Sequence, residues 1–313
     1  MFEYRVKPLD TPDGIDKLKK ALNDADAIVL GAGAGLSTAA GYTYAGERFE
    51  KYFSDFADRY HFSDMYSGGF YVLDLPPEKM WAYWSRNIWI NRYAPIPSDF
   101  YKRLFEVVKD RDYFVITTNV DHCFQRAGFD RKRLFYTQGD YGLFQSSDPK
   151  GITKEKTYDN EDIVRRMLLA QGFEIAEDNS LIVPEAGKIE MTVPAELVPY
   201  CPDDGRPMMM NLRSDERFVE DEGWHQAAER YSSFLRSHQD NRVLFLEIGV
   251  GMNTPTIIKY AFWQMTAGWD KAVYACLNRG EAYAPEDIID RSICINDDFR
   301  NVIDQLLSGQ RPV

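Results

Sequence analysis

The feature of this sequence that most restricts its fold is a glycine cluster placed directly behind a short apolar run. Ala27 to Leu30 form the apolar run, and four glycines fall within the next eleven residues, GAGAGLSTAAG. Such a cluster also fits an ordinary tight turn. Behind a first strand, however, a glycine-rich turn lets backbone N–H groups approach a pyrophosphate. We therefore expect a phosphate-binding turn that starts at residue 31.

Further apolar runs alternate with amphipathic segments along the chain. Strands are predicted at 27–30, 113–118, 243–249, 272–278 and 292–295, and helices at 98–109, 223–236, 255–265 and 298–307. Short apolar runs between amphipathic helices predict a parallel sheet that is covered on both faces. We expect Thr254 to cap the 255–265 helix, with Pro255 at its first position.

Two stretches interrupt this alternation. Residues 45–97 are rich in aromatic side chains and read as a helical insertion, and residues 146–222 are polar, contain prolines and read as a small lobe with weak strands such as SLIVPE. The predicted fold class is therefore α/β, a Rossmann-like parallel sheet with a second, smaller inserted lobe. The Rossmann-like domain is expected to comprise residues 1–44, 98–145 and 223–313.

Composition excludes several classes of protein. The 313-residue chain has a formal net charge of −12, whereas a nucleic-acid binder needs a basic face, so we expect no nucleic-acid partner. A signal peptide and an apolar run of membrane-spanning length are not evident, so we expect no membrane contact. The four cysteines are scattered, which favours a reducing, cytoplasmic location.

Polar side chains follow the predicted strands at the edge where ligands of α/β sheets bind. Asn119 and Asp121 stand in TTNVDHCFQRAG, behind the 113–118 strand. Capping of the following helix is the alternative role for both. Three more polar or glycine-bearing loops follow strands, YTQGDYG, EIGVGMNTP and LNRGEAY. The acidic residue that a hydride-transfer dinucleotide site places about 20 residues beyond its glycines is missing, because that region reads as helix.

Taken together, these motifs resemble those of the sirtuin family, whose members consume NAD. GAGAGLSTAAG is similar to the first NAD-binding motif of that family, and TTNVDHCFQRAG is similar to its Gln/Thr-Asn-x-Asp loop. LFLEIGVG is similar to the Gly-Thr-Ser strand end, and LNRG contains the equivalent of the ribose-binding asparagine. The resemblance covers the whole chain in order and implies a Rossmann-like domain and a smaller lobe with NAD between them.

The resemblance also implies roles for individual residues. Backbone amides of residues 31–35 and Ser37 would hold the phosphates, and Asn278 would hold the adenosine ribose. The expected catalytic residues are Asn119, which would position the nicotinamide ribose or an attacking group, Asp121, which would contact the nicotinamide amide or supply negative charge, and Gln138, which would orient acceptor or ribose hydroxyls. The expected NAD-binding residues are Gly31, Ala32, Gly33, Ala34, Gly35, Ser37, Arg48, Asn119, Asp121, Gln138, Gly249, Val250, Gly251, Asn253, Asn278 and Asp298.

Two departures from the family pattern bear on the reaction. Sirtuin deacylases have a histidine before the glycine of YTQGDYG, where this chain has Gln138. That histidine is a general base, and an amide cannot accept a proton near neutral pH. His122 is expected to begin a helix and not to replace it. The Asp-Phe-Arg element of the deacylases is replaced by YTYAGERFE, which leaves open whether Arg48 takes the place of its arginine.

These departures resemble the microbial class M sirtuins, which are ADP-ribosyltransferases. The function that this implies is transfer of ADP-ribose from NAD, used as a substrate, to a protein acceptor with release of nicotinamide. The resemblance implies a lipoylated glycine-cleavage H-like protein as acceptor and an operon-linked macrodomain hydrolase as partner. Two alternatives stay open, an NAD-dependent lysine deacylase that tolerates Gln138 and an NAD glycohydrolase or NAD-binding sensor.

No metal is expected in the small lobe. Sirtuins carry two cysteine pairs there as a structural zinc site, but the first expected pair falls in LFQSSDPKG and the second in PYCPDDGRP. Only Cys201 remains, with Asp204 three residues further on. One thiolate and one carboxylate do not make a stable tetrahedral zinc site, so apolar contacts should hold the lobe together.

Overall fold

The structure is a computed structural model that describes residues 5–185, 187–252 and 255–308. The α-helices are α1 (Gly14–Asp24), α2 (Ala34–Ala39), α3 (Glu47–Tyr60), α4 (Met65–Tyr71), α5 (Pro77–Ile88), α6 (Phe100–Val108), α7 (Cys123–Arg126), α8 (Glu161–Ala170), α9 (Glu222–His238), α10 (Lys259–Gly268) and α11 (Phe299–Leu307). The strands are β1 (Val6–Pro8), β2 (Ala27–Ala32), β3 (Tyr113–Thr117), β4 (Leu134–Tyr136), β5 (Gly139–Ser146), β6 (Tyr158–Asp159), β7 (Glu174–Ile175), β8 (Leu181–Ile182), β9 (Met208–Leu212), β10 (Val243–Ile248), β11 (Val273–Leu277), β12 (Tyr283–Pro285) and β13 (Ser292–Ile295).

Six strands form one parallel sheet in the order β13-β11-β10-β2-β3-β4, which confirms the predicted α/β, Rossmann-like class. The chain builds the sheet outward from β2 through β3 to β4. It then returns to the other side of β2 and continues from β10 through β11 to β13. The direction of winding therefore reverses between β2 and β10, and ligands of open α/β sheets bind in the crevice at such a reversal.

Helices cover both faces of this sheet because alternate residues of each strand point to opposite sides. Leu30 and Leu246 face a core that includes buried residues of α1, α6 and α11. Val29 and Phe245 face a second core formed with residues of α9 and α10. None of the helices in the described part of the chain is long and apolar enough to cross a bilayer.

The helical insertion, α3 to α5, shares a third apolar core with the small lobe. Arg86 lies inside it with none of its side chain exposed, and pairs with Asp55 over 2.7 Å. Its Nε donates to Gln171 over 2.8 Å, and its guanidinium lies 4.9 Å from the ring centres of both Phe56 and Phe173. A buried, fully engaged cation therefore holds the lobe together along with the expected apolar contacts.

Three local expectations need correction. The first strand continues through Gly31 and Ala32, which pair with β10 and β3, so the glycine turn starts at residue 33. Helix α10 begins at Lys259 and not at Pro255, because residues 256–258 form turns and Tyr260 N–H bonds Pro255 O across them. Thr254, the expected cap, lies outside the described residues. The SLIVPE strand is reduced to the two residues of β8.

The small lobe contains an antiparallel sheet in the order β6-β5-β9. Strand β5 begins at Gly139 and ends at Ser146, so it crosses the domain boundary expected at 145/146. Because β5 leads directly out of the loop that carries Gln138, the small lobe and the end of β4 approach the crevice together.

Candidate active site

Two glycine turns meet backbone to backbone where the winding of the sheet reverses. Gly33 follows β2, Gly249 follows β10, and the Gly35 N–H donates to the Gly249 carbonyl over 3.0 Å. A Cβ on Gly33 would lie 2.6 Å from that carbonyl oxygen, and a Cβ on Gly249, at a φ of +63°, would lie 2.6 Å from the Leu36 nitrogen. Glycine alone permits this approach, so each turn depends on the other.

This contact corrects the expectation that the backbone amides of residues 31–35 jointly bind phosphates. The Gly33 N–H donates to Ile248 O over 3.1 Å, and the Gly35 N–H is already bonded to Gly249. Gly31 lies inside β2, where a Cβ would come within 2.4 Å of Ile258. The glycines at 31, 33 and 35 are therefore explained by close packing, and their N–H groups serve the fold.

A cavity of 620 Å³ lies in front of the two turns. Among the predicted residues, its wall is formed by Gly33, Ala34, Ser37, Asn119, Asp121, Gln138, Val250 and Gly251. The structure thus gathers the three expected catalytic residues at one site, from the ends of β3 and β4. Ala32 is buried inside β2 and does not line the cavity, and Asn253 lies outside the described residues.

A chain of hydrogen bonds joins three polar side chains of this wall through a fourth, Tyr101, which lies behind the wall. Asn119 Nδ2 donates to the Tyr101 hydroxyl over 3.3 Å, and that hydroxyl is 2.9 Å from Ser37 Oγ. Ser37 Oγ in turn donates to Asp121 Oδ2 over 2.5 Å. Burial raises the pKa of Tyr101 well above its ordinary value, so its hydroxyl keeps its proton and can donate to Ser37. The same Nδ2 of Asn119 also donates to Gly33 O over 3.0 Å.

Two buried carboxyls of the site differ in their electrostatics. Burial raises the pKa of Asp121, although hydrogen bonds from Ser37 and from Cys123 N–H act in the opposite direction. Burial would also raise the pKa of Asp140, but the hydrogen bond to His122 and the charge of Arg92 outweigh it and lower that pKa. Asp121 Oδ1 also accepts from the N–H of Cys123, the first residue of α7, over 2.9 Å, so one side chain both contacts the start of the helix and lines the cavity.

Gln138 lies on the cavity wall with little to fix its amide. Its Nε2 is 3.4 Å from Thr137 Oγ1, a long hydrogen bond, and its backbone oxygen accepts from Arg213 N–H over 3.0 Å. His122 precedes α7 in a left-handed conformation, and its Nδ1 lies 2.7 Å from Asp140 Oδ2. The expectation that His122 begins a helix is confirmed, and its Nδ1 is engaged by Asp140.

Arg48 supports the wall from behind and does not line the cavity. Its Nη2 donates to Ile90 O and to Asn91 Oδ1, each over 2.9 Å, and its guanidinium lies 5.1 Å from the centre of the Tyr42 ring. Asn91 and Tyr42 do line the cavity. Arg48 therefore influences the cavity through these two side chains.

A second hollow of 390 Å³ contains Gly35, Asn278 and Asp298. Asn278 Nδ2 donates to Val250 O over 3.0 Å, and Asp298 caps α11. Gly33 lines the first cavity and Gly35 lines the second, so the turn between them separates two adjoining spaces. An elongated ligand could occupy both by passing over this turn.

In the small lobe, the residues at the zinc position are engaged in hydrogen bonds. Cys201 Sγ lies 3.3 Å from the Tyr158 hydroxyl, and Asp204 Oδ2 accepts from Ser146 Oγ over 2.7 Å. Within the described ranges, no three His, Cys, Asp or Glu side chains are grouped so that they could hold a metal ion. The donor set of this lobe does not fit the tetrahedral zinc site of sirtuins.

Sequence reasoning missed several residues of this site. Tyr42, Tyr44, Tyr141 and Arg213 line the cavity, and Tyr101 supports it from α6. The aromatic run directly behind the glycine turn was a usable signal for the first two. Tyr101 and Arg213 gave none, since the first occupies an apolar position of an amphipathic helix and the second lies in a lobe without clear periodicity.

No protein-family model matches the chain. The chain is 36% identical over 287 residues to a protein ADP-ribosyltransferase of Staphylococcus aureus. The aligned residues cover 91% of this chain and 84% of that protein. It is 26% identical over 265 residues to a probable bifunctional ADP-ribose hydrolase/ADP-ribosyltransferase of Fusarium oxysporum, with 82% of this chain and 41% of that protein covered. The solved structure of Sir2Tm, a sirtuin, bound to a propionylated peptide aligns with a TM-score of 0.51 at 15% identity, over 94% of this chain and 97% of that chain.

Proposed function

The chain belongs to the protein ADP-ribosyltransferases of the sirtuin fold, and we propose that it cleaves NAD in the 620 Å³ cavity and passes ADP-ribose to a protein acceptor. One observation carries the proposal. The hydrogen-bonded chain from Asn119 to Asp121 lies on the wall of a cavity that adjoins two glycine turns at the reversal of the sheet.

The two adjoining hollows support a dinucleotide as the ligand. We assign the nicotinamide end to the cavity with Asn119 and Asp121, and the adenosine end to the hollow with Asn278 and Asp298. The pyrophosphate would then cross the glycine turn. Since the first N–H groups of a helix have no partner within it, Ala34 at the start of α2 supplies a donor there.

The proposed reaction is a substitution at C1′ of the nicotinamide ribose. The bond from C1′ to the nicotinamide nitrogen breaks, and both of its electrons leave with nicotinamide. The acceptor's nucleophilic atom forms the new bond to C1′, and its proton passes to solvent. Positive charge develops on the ribose as the bond breaks, and oriented dipoles and carboxylates stabilise such charge. We assign positioning of the ribose to Asn119 and electrostatic stabilisation to Asp121.

Gln138 favours this transfer over deacylation. A carboxamide can donate and accept hydrogen bonds, but it cannot take a proton from a ribose hydroxyl near neutral pH. A step that requires a general base should therefore be slower by roughly 10²- to 10⁴-fold. Cleavage of the bond to nicotinamide has no such requirement.

For the acceptor, we propose a lipoylated carrier protein of the glycine-cleavage H type, and for a partner a macrodomain hydrolase that removes the modification. The name of the Fusarium oxysporum relative combines an ADP-ribose hydrolase with an ADP-ribosyltransferase, which supports such a pairing. We propose the cytoplasm as the location, supported by four buried, free cysteines.

Incubation with NAD labelled in its adenylate phosphate tests the function. We expect label on the lipoylated carrier, nicotinamide released in equal amount, and little label on the unlipoylated carrier. An acyl-lysine peptide serves as the competing substrate, and Gln138→His is compared with the unmodified protein. Efficient deacylation of the peptide by the unmodified protein, without label on any protein, would show that the proposed function is wrong.

A further inference from the structure

Helix α4 and the turn that follows it present several large apolar side chains to solvent. Tyr66, Phe70 and Leu73 are 65%, 56% and 50% exposed, and their spacing places them on one side of α4 and the turn that follows it. The segment MYSGGFYVL at 65–73 contains no charged residue, although 27% of the chain is charged. Exposed apolar patches of this kind mark interaction sites more often than isolated exposed residues do.

Packing against the core explains the other side of α4 but not these rings. A Cβ on Gly68 would lie 2.5 Å from the Phe62 ring and 2.7 Å from the Tyr83 hydroxyl, and one on Gly69 would lie 3.1 Å from Trp84. The buried residues of α4 are Met65, Gly68 and Gly69, so Tyr66 and Phe70 lie on its solvent side. In the usual amphipathic arrangement only the core side is apolar and the solvent side carries polar side chains.

The exposed rings begin on the wall of the cavity. Tyr44 lines the cavity and lies with its ring centre 6.3 Å from that of Tyr66, and the Tyr66 and Phe70 rings are 5.0 Å apart. We define Tyr44, Tyr66 and Phe70, with Leu73 at their end, as the aromatic stripe. Its rings lead from the proposed reaction cavity to the outer surface of α4, and residues 65–73 contain no charged side chain.

We propose that the aromatic stripe is the docking surface for the protein acceptor, which contacts it through an uncharged, apolar segment next to the modified side chain. The inference rests on the proposed function, because an acceptor whose nucleophile enters the cavity must cover the surface at its mouth. Aromatic anchors dominate the energetics of many protein interfaces. A charged segment would gain no ion pair from residues 65–73, and it would be desolvated there.

The test compares Tyr66→Ser/Phe70→Ser with Ile152→Ser, which removes another exposed apolar side chain, 62% exposed, outside the stripe. The probe is the lipoylated carrier over a range of concentrations, with labelled NAD in excess. We expect the double substitution to raise KM for the carrier about 10- to 100-fold, the usual size of losing two interface anchors. The rate at which the double variant hydrolyses NAD to nicotinamide in the absence of carrier should stay close to that of the unmodified protein. Its melting temperature should also change little. Ile152→Ser should change none of these values.

Three outcomes would overturn the inference. An unchanged KM for the double variant, with the carrier labelled normally, would remove the stripe from acceptor binding and leave the proposed function intact. Wild-type protein that releases nicotinamide but labels no carrier would overturn that acceptor and its docking surface together. If the wild-type protein sedimented as a dimer and the double variant as a monomer, the stripe would be an interface with a second copy of this chain. Absence of nicotinamide release by wild type would instead contradict the proposed function itself.

Discussion

Two sides of the 620 Å³ cavity, here called the cleft, are formed by different kinds of contact, backbone packing on one and side-chain hydrogen bonds on the other. The side formed by the turns at Gly33 and Gly249 is backbone against backbone, with no room for a single added carbon. The side formed by Asn119, Ser37 and Asp121 is a relay of side-chain hydrogen bonds completed from a distant helix. The first should therefore be sensitive to added volume, and the second to the loss of a single polar atom.

The largest effect is expected for Gly249→Ala. Its Cβ would collide with the backbone of residues 35 and 36, and the φ of +63° is unfavourable for alanine. We expect the free energy of unfolding to fall by about 2–4 kcal/mol and the rise in melting temperature with NAD or ADP-ribose to disappear. Denaturant titration and thermal shift measure both.

Gly205→Ala is the matched control. This glycine also has a positive φ, +70°, but a Cβ added to it would meet no atom within 4 Å. The free energy of unfolding of Gly205→Ala should fall only by the cost of placing alanine at a positive φ, about 1 kcal/mol. Its melting temperature should still rise when NAD is added. Equal losses for the two variants would mean that backbone conformation, and not the contact between the turns, sets the cost.

On the side-chain half of the cleft, Asn119→Ala is expected to have the largest effect. It removes the donor to Gly33 O and to the Tyr101 hydroxyl. Transfer of ADP-ribose should fall by about 10²-fold or more, the usual scale for a lost polar group that positions or stabilises the transition state. The protein should stay folded with a loss of stability of about 1–2 kcal/mol, as for other broken hydrogen bonds, and exposed Asn301→Ala should leave the rate unchanged. Retention of most of the activity would exclude Asn119 from the reaction.

The same contrast explains which parts of the site the sequence could predict. Glycine turns and apolar runs are local patterns, so the parallel sheet and both turns could be read from single segments. Asn119 and Asp121 follow β3, Gln138 follows β4, and the ends of two parallel strands lie at the same edge of a sheet. Gly31 was assigned to phosphate binding, whereas its lack of a side chain makes room for Ile258, a contact that depends on a residue far along the chain.

Features built from long-range contacts could not be predicted. Tyr101 lies 64 residues from Ser37, and its hydroxyl gives no periodic signal on an amphipathic helix. Arg86 reads as an ordinary helix residue, because Asp55 and Gln171 are 31 and 85 residues away. The sequence predicted a polar small lobe held together by apolar contacts, and it contained no indication that a buried cation takes part in holding it.

An intermediate effect is expected for Tyr101→Phe, which removes one oxygen and keeps the ring. Ser37 then loses a donor, and Asn119 loses one acceptor while Gly33 O remains. We expect kcat for transfer to fall about 10-fold and stability to fall by about 1–2 kcal/mol, the cost of breaking buried hydrogen bonds. KM for NAD should change little, since the hydroxyl supports Asn119 and does not line the cavity.

Tyr113→Phe provides the comparison for that variant. Tyr113 begins β3, at the opposite end of that strand from Asn119, and its hydroxyl accepts a hydrogen bond from Asp130 N–H over 3.1 Å. This variant should lose some stability and keep kcat. If kcat fell in both variants in proportion to their loss of stability, Tyr101 would have a structural role only.

The smallest effects are expected when the two buried carboxyls, Asp121 and Asp140, are each replaced by Asn. The two substitutions should change the free energy of unfolding in opposite directions. Burial raises the pKa of Asp121 above 3.8, so the folded protein holds that proton to a higher pH than the unfolded chain does. Stability therefore falls as pH rises from about the ordinary Asp value through the raised pKa. Asp121→Asn removes this loss and should stabilise the protein at neutral pH on the order of 1 kcal/mol, as substitutions at strained functional sites often do, while transfer decreases.

Asp140 provides the opposite case, because His122 and Arg92 lower its pKa despite burial. Its contribution to stability is present above the ordinary Asp pKa and is lost as pH falls through the lowered value. Asp140→Asn should therefore destabilise the protein at neutral pH, and the difference from the unmodified protein should shrink toward acid. Urea unfolding from pH 3 to 8 measures both variants. If both substitutions changed the free energy of unfolding in the same direction at neutral pH, the charges of His122 and Arg92 would not explain the difference between the pKa values of Asp121 and Asp140. The ionised Asp121 side chain would then not lower the stability of the folded protein.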